Sequence, residues 1–211
     1  MKLRNTLEVN TKSQRYTNWR ESVTYMFESR NPSALRSQKE ITDALVTLMQ
    51  EIPYDEISVK QILLEAKLAK KTFYRNFESK DDVLLSCIRT NLQEYFNVVD
   101  GGNEDVLTAI FAFAVKNKEL LLILDRNDML HVVLKCMNEK TRLHKTGQVS
   151  ETNPFVQLFQ GLDSEYLIAL NIGAVWNVIS LWVHDGMKDK PEYVKETIGQ
   201  YIRRLSRSVK A

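Results

Sequence analysis

The chain has 211 residues, of which 44% are hydrophobic and 27% are charged, and it contains seven Gly and four Pro. This composition supports a packed core and excludes the disordered, collagen-like and low-complexity classes of protein. The 29 Lys and Arg against 27 Asp and Glu give a net charge of +2, which does not by itself indicate a polyanionic partner.

The first 32 residues differ in character from the rest of the chain. Residues 1–20 carry basic side chains and a single acidic one, Glu8, which is typical of a solvated basic arm. Apolar side chains from Tyr16 to Phe27 follow helical spacing, so an additional amphipathic helix is predicted at about residues 18–29. Packing on the chain itself, contact with a partner protein and contact with DNA are all open for this segment.

Helical periodicity begins after this arm, whereas strand and hairpin signals are nearly absent. In residues 33–52 the apolar side chains recur at three- and four-residue steps: Ile41, Leu45, Leu48, Met49 and Ile52. Pro32 suits the first position of this helix, and Pro53 ends it. A capping box of Ser37 and Glu40 offers an alternative start one turn later.

Residues 58–80, SVKQILLEAKLAKKTFYRNFESK, carry six basic side chains against two acidic ones. A short helix capped by Ser58 is predicted first, followed by a three-residue connection whose Leu68 fills the joint. A second short helix, at residues 70–76, turns Phe73 inward. Two short helices joined by such a connection indicate a helix-turn-helix.

The outward side chains of the second helix suit DNA: Lys70, Lys71, Thr72, Tyr74 and Asn76. A helix fits the major groove, where Lys can donate to guanine and Thr can contact a thymine methyl group. The Tyr74 hydroxyl and the Lys80 ammonium suit phosphate oxygens. A solvated basic helix without a DNA partner is the alternative interpretation.

The remaining chain predicts further helices. Ser79 and Asp82 indicate the start of a long helix, and Gly101-Gly102 ends it. Later helices are predicted at about residues 104–116, 118–126, 128–144, 164–186 and 191–207, with a loop at 146–154.

Residues 166–183 run for 18 positions without a charged side chain, close to the minimum length of a membrane span. The segment contains Asn171, Asn177 and Ser180, and no second segment like it occurs in the sequence. A helix buried in the core or in a subunit interface is therefore preferred over a membrane span.

The sequence offers no motif for metal binding, nucleotide binding or catalysis. Cys87 and Cys136 lack metal-ligand spacing, and the three His residues (His131, His144 and His184) are far apart in sequence. The chain is therefore expected to be neither an enzyme nor a cofactor carrier. Unpaired cysteines and an N-terminus without an apolar signal favour a cytoplasmic location.

The motif ISVxxI at 57–62, Ala66, and TFYRxFxSKxxxL at 72–84 together resemble the DNA-binding domain of the TetR family. The C-terminal segment resembles, more loosely, the type of this family common in Firmicutes, through Gly173-Ala174, Trp182, the HDGMK stretch at 184–188 and Pro191-Glu192. The two likenesses together span about residues 36–205.

The resemblance implies an all-α protein with a three-helix helix-turn-helix head and a larger helical body that dimerises and holds a ligand. It divides the chain into an N-terminal arm (1–32), a DNA-binding domain (33–80) and a regulatory and dimerisation domain (81–211). A homodimer that binds a palindromic operator in double-stranded DNA is expected, most often as a repressor. A small-molecule effector is a further expected partner.

The resemblance also assigns residues. The DNA-binding positions are Ser58, Lys60, Lys70, Lys71, Thr72, Tyr74, Asn76 and Lys80. The last two helices are expected to form the dimer interface, through Trp176, Trp182, Ile198, Tyr201 and Ile202. Aromatic and Met side chains of the body could line an effector pocket or form plain core: Phe111, Met129, Met137, Phe155 and Phe159.

Three residues depart from the family pattern. Lys67 stands where Gly is usual, and a left-handed backbone there would cost about 1 kcal/mol. Ala69 cannot cap the second helix through its side chain, a loss of about 1 kcal/mol. Leu63 replaces a customary Ala. The departures keep a second hypothesis open, a TetR-like coactivator or ligand-sensing interaction module that does not itself read DNA.

Overall fold

The computed structural model describes residues 32–101, 105–143 and 164–208. Within these ranges the chain is all-α, as predicted, with one 3-10 turn at Tyr54–Glu56. The helices are α1 (Pro32–Leu48), α2 (Val59–Ala66), α3 (Lys70–Asn76), α4 (Lys80–Asp100), α5 (Val106–Lys116), α6 (Lys118–Arg126), α7 (Leu130–Leu143), α8 (Ser164–His184) and α9 (Pro191–Ser208). The predicted N-terminal helix, the loop at 146–154, and Phe155 and Phe159 lie outside the described residues.

The helix starts follow local capping chemistry. Helix α1 begins at Pro32, as predicted, whereas the alternative start at Ser37 is wrong. Ser37 lies inside the helix, where its hydroxyl donates to the Ser33 carbonyl at 3.0 Å. At α4, the Ser79 hydroxyl accepts from the Asp82 N–H at 3.2 Å, and Gly101 ends the helix. These contacts confirm both predicted ends of α4.

Residues 32–80 form what we call the head. Helix α1 packs on α2, α3 and the first part of α4. The centre of the head is fully buried and consists of Ile41, Leu45, Ile62 and Phe73. Helices of seven or eight residues are unstable alone in water, so α2 and α3 depend on the packing of their apolar faces against this centre.

The described residues from 81 onward form what we call the body. Helix α4 runs without a break from the head into the body, where it packs on α5 and α7. Helix α9 packs on α5, and α8 packs on α6 and α7. Phe111 and Met137 are buried core side chains and Met129 is half-buried, so their expected part in an effector pocket stays a prediction.

Helices α8 and α9 correct part of the predicted dimer interface. Trp176 and Trp182 were expected to point outward, but they are 2% and 5% exposed because they pack into the chain's own core. The Trp182 indole N–H donates to the Asp189 carbonyl at 3.0 Å. The expected outward orientation of the two Trp side chains is therefore wrong. Ile198 and Ile202 are also buried, and their expected part in a dimer interface stays a prediction. Tyr201 is exposed, as expected.

Helix α8 contains the apolar segment that raised the question of a membrane span. From Tyr166 to His184 its mean hydropathy is 1.7, enough by length and composition to cross a membrane. Trp176, Ile179 and Val183 are nevertheless buried within the chain, on a helix that packs against α6 and α7. This packing supports the preferred interpretation as a core or interface helix.

Candidate nucleic-acid interface

Helix α2 begins at the Ser58 cap that its sequence predicts, and Gln61 completes a capping box with it. The Ser58 hydroxyl accepts from the Gln61 N–H at 3.3 Å, and the Gln61 side-chain oxygen accepts from the Ser58 N–H at 2.9 Å. Ser58 remains exposed at the end of the helix. Its hydroxyl therefore acts first as a helix cap, and its predicted DNA contact stays a prediction.

The turn between α2 and α3 has the left-handed backbone anticipated at Lys67, with φ 54° and ψ 38°. The Lys67 N–H donates to the Leu64 carbonyl at 3.3 Å, and the Leu68 N–H donates to the Leu63 carbonyl at 3.1 Å. These two bonds form a Schellman motif, which satisfies carbonyls at the end of α2. Leu68 packs against the core and fills the joint, as predicted.

Helix α3 is fixed by its inner face. Phe73 is 0% exposed, and its ring lies 6.1 Å from the ring of Phe77, which is also buried. Ala69 stands at the cap position without a side-chain hydrogen bond, as predicted. Burial of Phe73 therefore holds the helix without help from a side-chain cap.

The outer face of α3 presents cationic and hydrogen-bonding side chains. Lys70, Lys71 and Tyr74 are exposed, and the Lys70 ammonium lies 5.7 Å from the centroid of the Tyr74 ring. Thr72 and Asn76 are half-buried, and the Asn76 amide donates to the Thr72 carbonyl at 2.7 Å. Six of the seven residues of α3 thus leave at least part of their side chain open to a ligand.

Arg75 belongs to this face but was absent from the predicted contact set. It is exposed and lies one helical turn after Lys71, a spacing that would have identified it. Within the part of the chain that the structure describes, no ion pair neutralises the exposed cations of α2, the turn and α3, which are Lys60, Lys67, Lys70, Lys71 and Arg75. The surface is therefore positively charged.

Lys80 is used inside the protein, which corrects its predicted contact with a DNA phosphate. Its ammonium donates to the carbonyls of Tyr54, Asp55 and Ile57 at 2.7, 3.2 and 3.0 Å, and it lies 4.5 Å from the centroid of the Tyr54 ring. An ammonium has three N–H donors, and three carbonyls accept them here. Lys80 therefore holds the 3-10 turn against the start of α4.

Tyr54 completes this polar cluster. Its hydroxyl donates to the Asp81 carboxylate at 2.6 Å. Burial, and then the hydrogen bond and charge of Asp81, raise the pKa of Tyr54 well above its ordinary value. The phenol therefore stays neutral and acts as a hydrogen-bond donor across the physiological range.

Neither cysteine is placed for chemistry. Cys87 and Cys136 are buried, and burial is the main cause that raises the pKa of each thiol to about 11. Both therefore remain protonated thiols at neutral pH and act as core side chains.

Comparison with known proteins identifies the domain that contains this surface. Residues 41–87 match the model of the bacterial regulatory proteins of the tetR family, which confirms the resemblance drawn from the sequence motifs. The HTH-type dhaKLM operon transcriptional activator DhaS of Lactococcus lactis is 31% identical to this chain over 97 residues. The aligned stretch covers 45% of this chain and 46% of the relative, so it spans less than half of either protein.

The left-handed backbone of Lys67 generates a stability prediction. Replacing Lys67 by Gly should raise the free energy of unfolding by about 1 kcal/mol, because Gly adopts this conformation without steric cost. Urea denaturation of the purified chain measures the change. The matched control is Lys135→Gly at an exposed position of α7, which should lower the free energy by about 1 kcal/mol. A loss of stability in Lys67→Gly would contradict the argument.

The internal role of Lys80 predicts an effect that does not depend on DNA. Lys80→Met keeps the aliphatic stem but leaves three carbonyls without their donor, so the free energy of unfolding should fall by about 1–3 kcal/mol. Lys71→Met, on the exposed face of α3, should change it by less than about 0.5 kcal/mol. Denaturation of both variants without DNA measures the difference. Equal stability of the two would return Lys80 to the set of candidate phosphate contacts.

Proposed function

Because the chain carries at residues 41–87 the DNA-binding domain of the TetR family of bacterial regulatory proteins, we propose that it regulates transcription as a homodimer bound to double-stranded operator DNA. The α3 helices of two chains enter successive major grooves of a palindromic site, about 34–36 Å apart. The observation that carries the proposal is the exposed cationic face of α3. This role requires no catalysis and places the protein in the cytoplasm.

The dimensions and chemistry of α3 support this role. An α-helix with its side chains is about 10–12 Å across, so α3 fits a major groove about 12 Å wide. Lys70 and Lys71 at its N-terminal end are the candidates for base contacts, and Lys60 approaches from the neighbouring helix α2. Tyr74 and Arg75 lie further along the face and suit phosphate oxygens.

The exposed apolar faces of α8 and α9 support the homodimer. On α8, Tyr166, Leu170 and Leu181 are 77%, 66% and 62% exposed and lie on one helical stripe. On α9, the exposed apolar side chains Tyr193 and Tyr201 lie two helical turns apart. A second copy of the chain that covers these stripes would remove a large apolar surface from water. The proposed interface therefore uses these residues, and Tyr201 is the one among them that was also expected from the sequence.

The direction of regulation is a separate question. The repressor role expected from the resemblance stays a prediction, and the relative from Lactococcus lactis is named as an activator. Repression and activation use the same head, because the position of the operator relative to the promoter decides between the two. Response to a small-molecule effector held in the body is likewise part of the proposal.

A TetR-like interaction module that does not read DNA is the second candidate function. It was motivated by Lys67 and Ala69, which depart from the family pattern, and by the N-terminal arm, which lies outside the described residues. In the structure the turn closes with two backbone hydrogen bonds, and α3 keeps its exposed face. The geometry therefore favours the regulator, and the module becomes an outcome of the test below.

Selection of host genomic fragments tests the regulator. The wild type should enrich one or a few fragments that contain a palindrome, and Lys70→Ala/Lys71→Ala should lose the enrichment. The control Lys118→Ala/Lys135→Ala removes the same charge from exposed positions of the body and should retain it. Absence of enrichment by the wild type at low salt, where phosphate contacts are strongest, would favour the interaction module. Equal loss in both double variants would indicate a non-specific charge effect.

A charged substitution on α8 tests the dimer. Leu181→Glu places a carboxylate in the proposed interface and should convert the dimer to a monomer in sedimentation velocity, because an unpaired charge is costly to bury. Leu64→Glu is the matched control, since Leu64 is 79% exposed but lies on α2 in the head. It should leave the dimer intact. A dimer that persists in Leu181→Glu would exclude this face of α8 as the interface.

A further inference from the structure

The side chain of Asn127, at the C-terminal end of α6, connects the body to the head. Its amide oxygen accepts from the Tyr54 N–H at 2.8 Å. Its amide nitrogen donates to the Met49 carbonyl at 3.1 Å and to the Ile123 carbonyl at 2.8 Å. The first two partners belong to the head and the third belongs to α6 itself.

The two head groups are backbone groups at helix ends. The Met49 carbonyl follows the last residue of α1, and the Tyr54 N–H opens the 3-10 turn. Groups at these positions lack a partner within their own helix and need one from elsewhere. Both amide donors and one acceptor of Asn127 are therefore committed, and the side chain is fixed relative to all three segments.

Helix α6 places Asn127 between the head and the proposed dimer interface. It packs on α8, and the His184 ring nitrogen lies 3.3 Å from the Asp125 carboxylate, two residues before Asn127. The head is also joined to the body through α4, which is one continuous helix. The Asn127 contacts add a second attachment that opposes rotation of the head about α4.

We propose that the Asn127 carboxamide fixes the orientation of the head on the body and thereby sets the half-site spacing that the dimer accepts on DNA. The second half of the proposal rests on the proposed function. One base pair of added spacing moves a half-site by roughly 3.4 Å and rotates it by roughly 35°. A head held by two hydrogen bonds from Asn127 tolerates such a change poorly, whereas a head that rotates about α4 adapts to it.

Asn117 provides a matched control. It stands at the end of α5, and its amide donates to the Phe113 carbonyl at 2.9 Å, the same bond within a helix that Asn127 makes to Ile123. No hydrogen bond of its side chain to the head is present among the described residues. Asn117→Ala therefore removes the helix-end bond alone, while Asn127→Ala also removes the two bonds to the head.

The first measurement follows the head without DNA. Spin labels at Glu65→Cys in α2 and Glu119→Cys in α6, both exposed, report the distance between head and body within one chain. Labelled chains are diluted with unlabelled ones, and the native thiols are buried and stay unlabelled. Asn127→Ala should broaden the distance distribution, and Asn117→Ala should leave it as in the wild type. An unchanged distribution in Asn127→Ala would overturn the proposal.

The second measurement uses the selected operator in duplexes whose half-sites are moved apart by one, two or three base pairs. If about one dimer in ten keeps both heads in the competent orientation, Asn127→Ala should bind the native spacing about tenfold more weakly. Its preference for the native spacing over the altered ones should fall by a similar factor, whereas Asn117→Ala should keep the wild-type preference. The same spacing preference in Asn127→Ala and wild type would overturn the link to DNA.

The same two measurements also cover a variant that does not fold and a wild type that selects no operator. If Asn127→Ala does not fold, Asn127→Asp takes its place, because it keeps the acceptor for the Tyr54 N–H and loses the donor to Met49. It should broaden the distance distribution and weaken the spacing preference in the same direction as Asn127→Ala, but less strongly. If the wild type selects no operator, the proposed function and the link to DNA both fail, and the distance measurement alone decides the orienting role of Asn127.

Discussion

The backbone groups in the connection between α1 and α2 need hydrogen-bond partners, and the placement of α3 depends on the side chains that supply them. Lys80 supplies three donors to the carbonyls of residues 54, 55 and 57, and Asn127 binds the groups at 49 and 54. The two side chains come from different helices, Lys80 from the start of α4 and Asn127 from the end of α6. Since α2 starts immediately afterwards and α3 follows by a three-residue turn, their position is set by this polar cluster together with the apolar core.

The two faces of α3 have different roles because the helix is short. A seven-residue helix has no stability of its own, so the inner face must be buried, and Phe73 provides that burial. Because stability comes from the inner face, the outer face is free to carry cations that repel one another. The cations on this surface repel one another in the free protein, and the surface is open to a polyanion. A DNA-binding head requires this arrangement.

Features encoded by local chemistry could be predicted from the sequence, while those that depend on distant neighbours could not. The Ser58 cap and most helix bounds follow from spacing and from capping residues within a few positions, although α1 ends at Leu48 and not at Pro53 as predicted. The left-handed Lys67 was anticipated from the family resemblance, in which Gly is usual at this position. The orientation of Trp176 was missed because α8 is apolar on most of its surface, so periodicity does not tell its inner from its outer side. Lys80 and Asn127 were missed because their partners lie 23–26 and 73–78 residues away.

The fold and the orientation of the head rest on interactions of different strength. The fold depends on many buried apolar side chains, each of which contributes about 1.5–3 kcal/mol on burial. The orientation depends on a few polar contacts, each of which has a net contribution of about 0.5–1.5 kcal/mol. A change in the body that displaces the end of α6 by a small distance would therefore break the Asn127 contacts before it disturbs the apolar core. The head can then reorient while it stays folded, and any ligand that binds one orientation more tightly shifts the population by its difference in affinity.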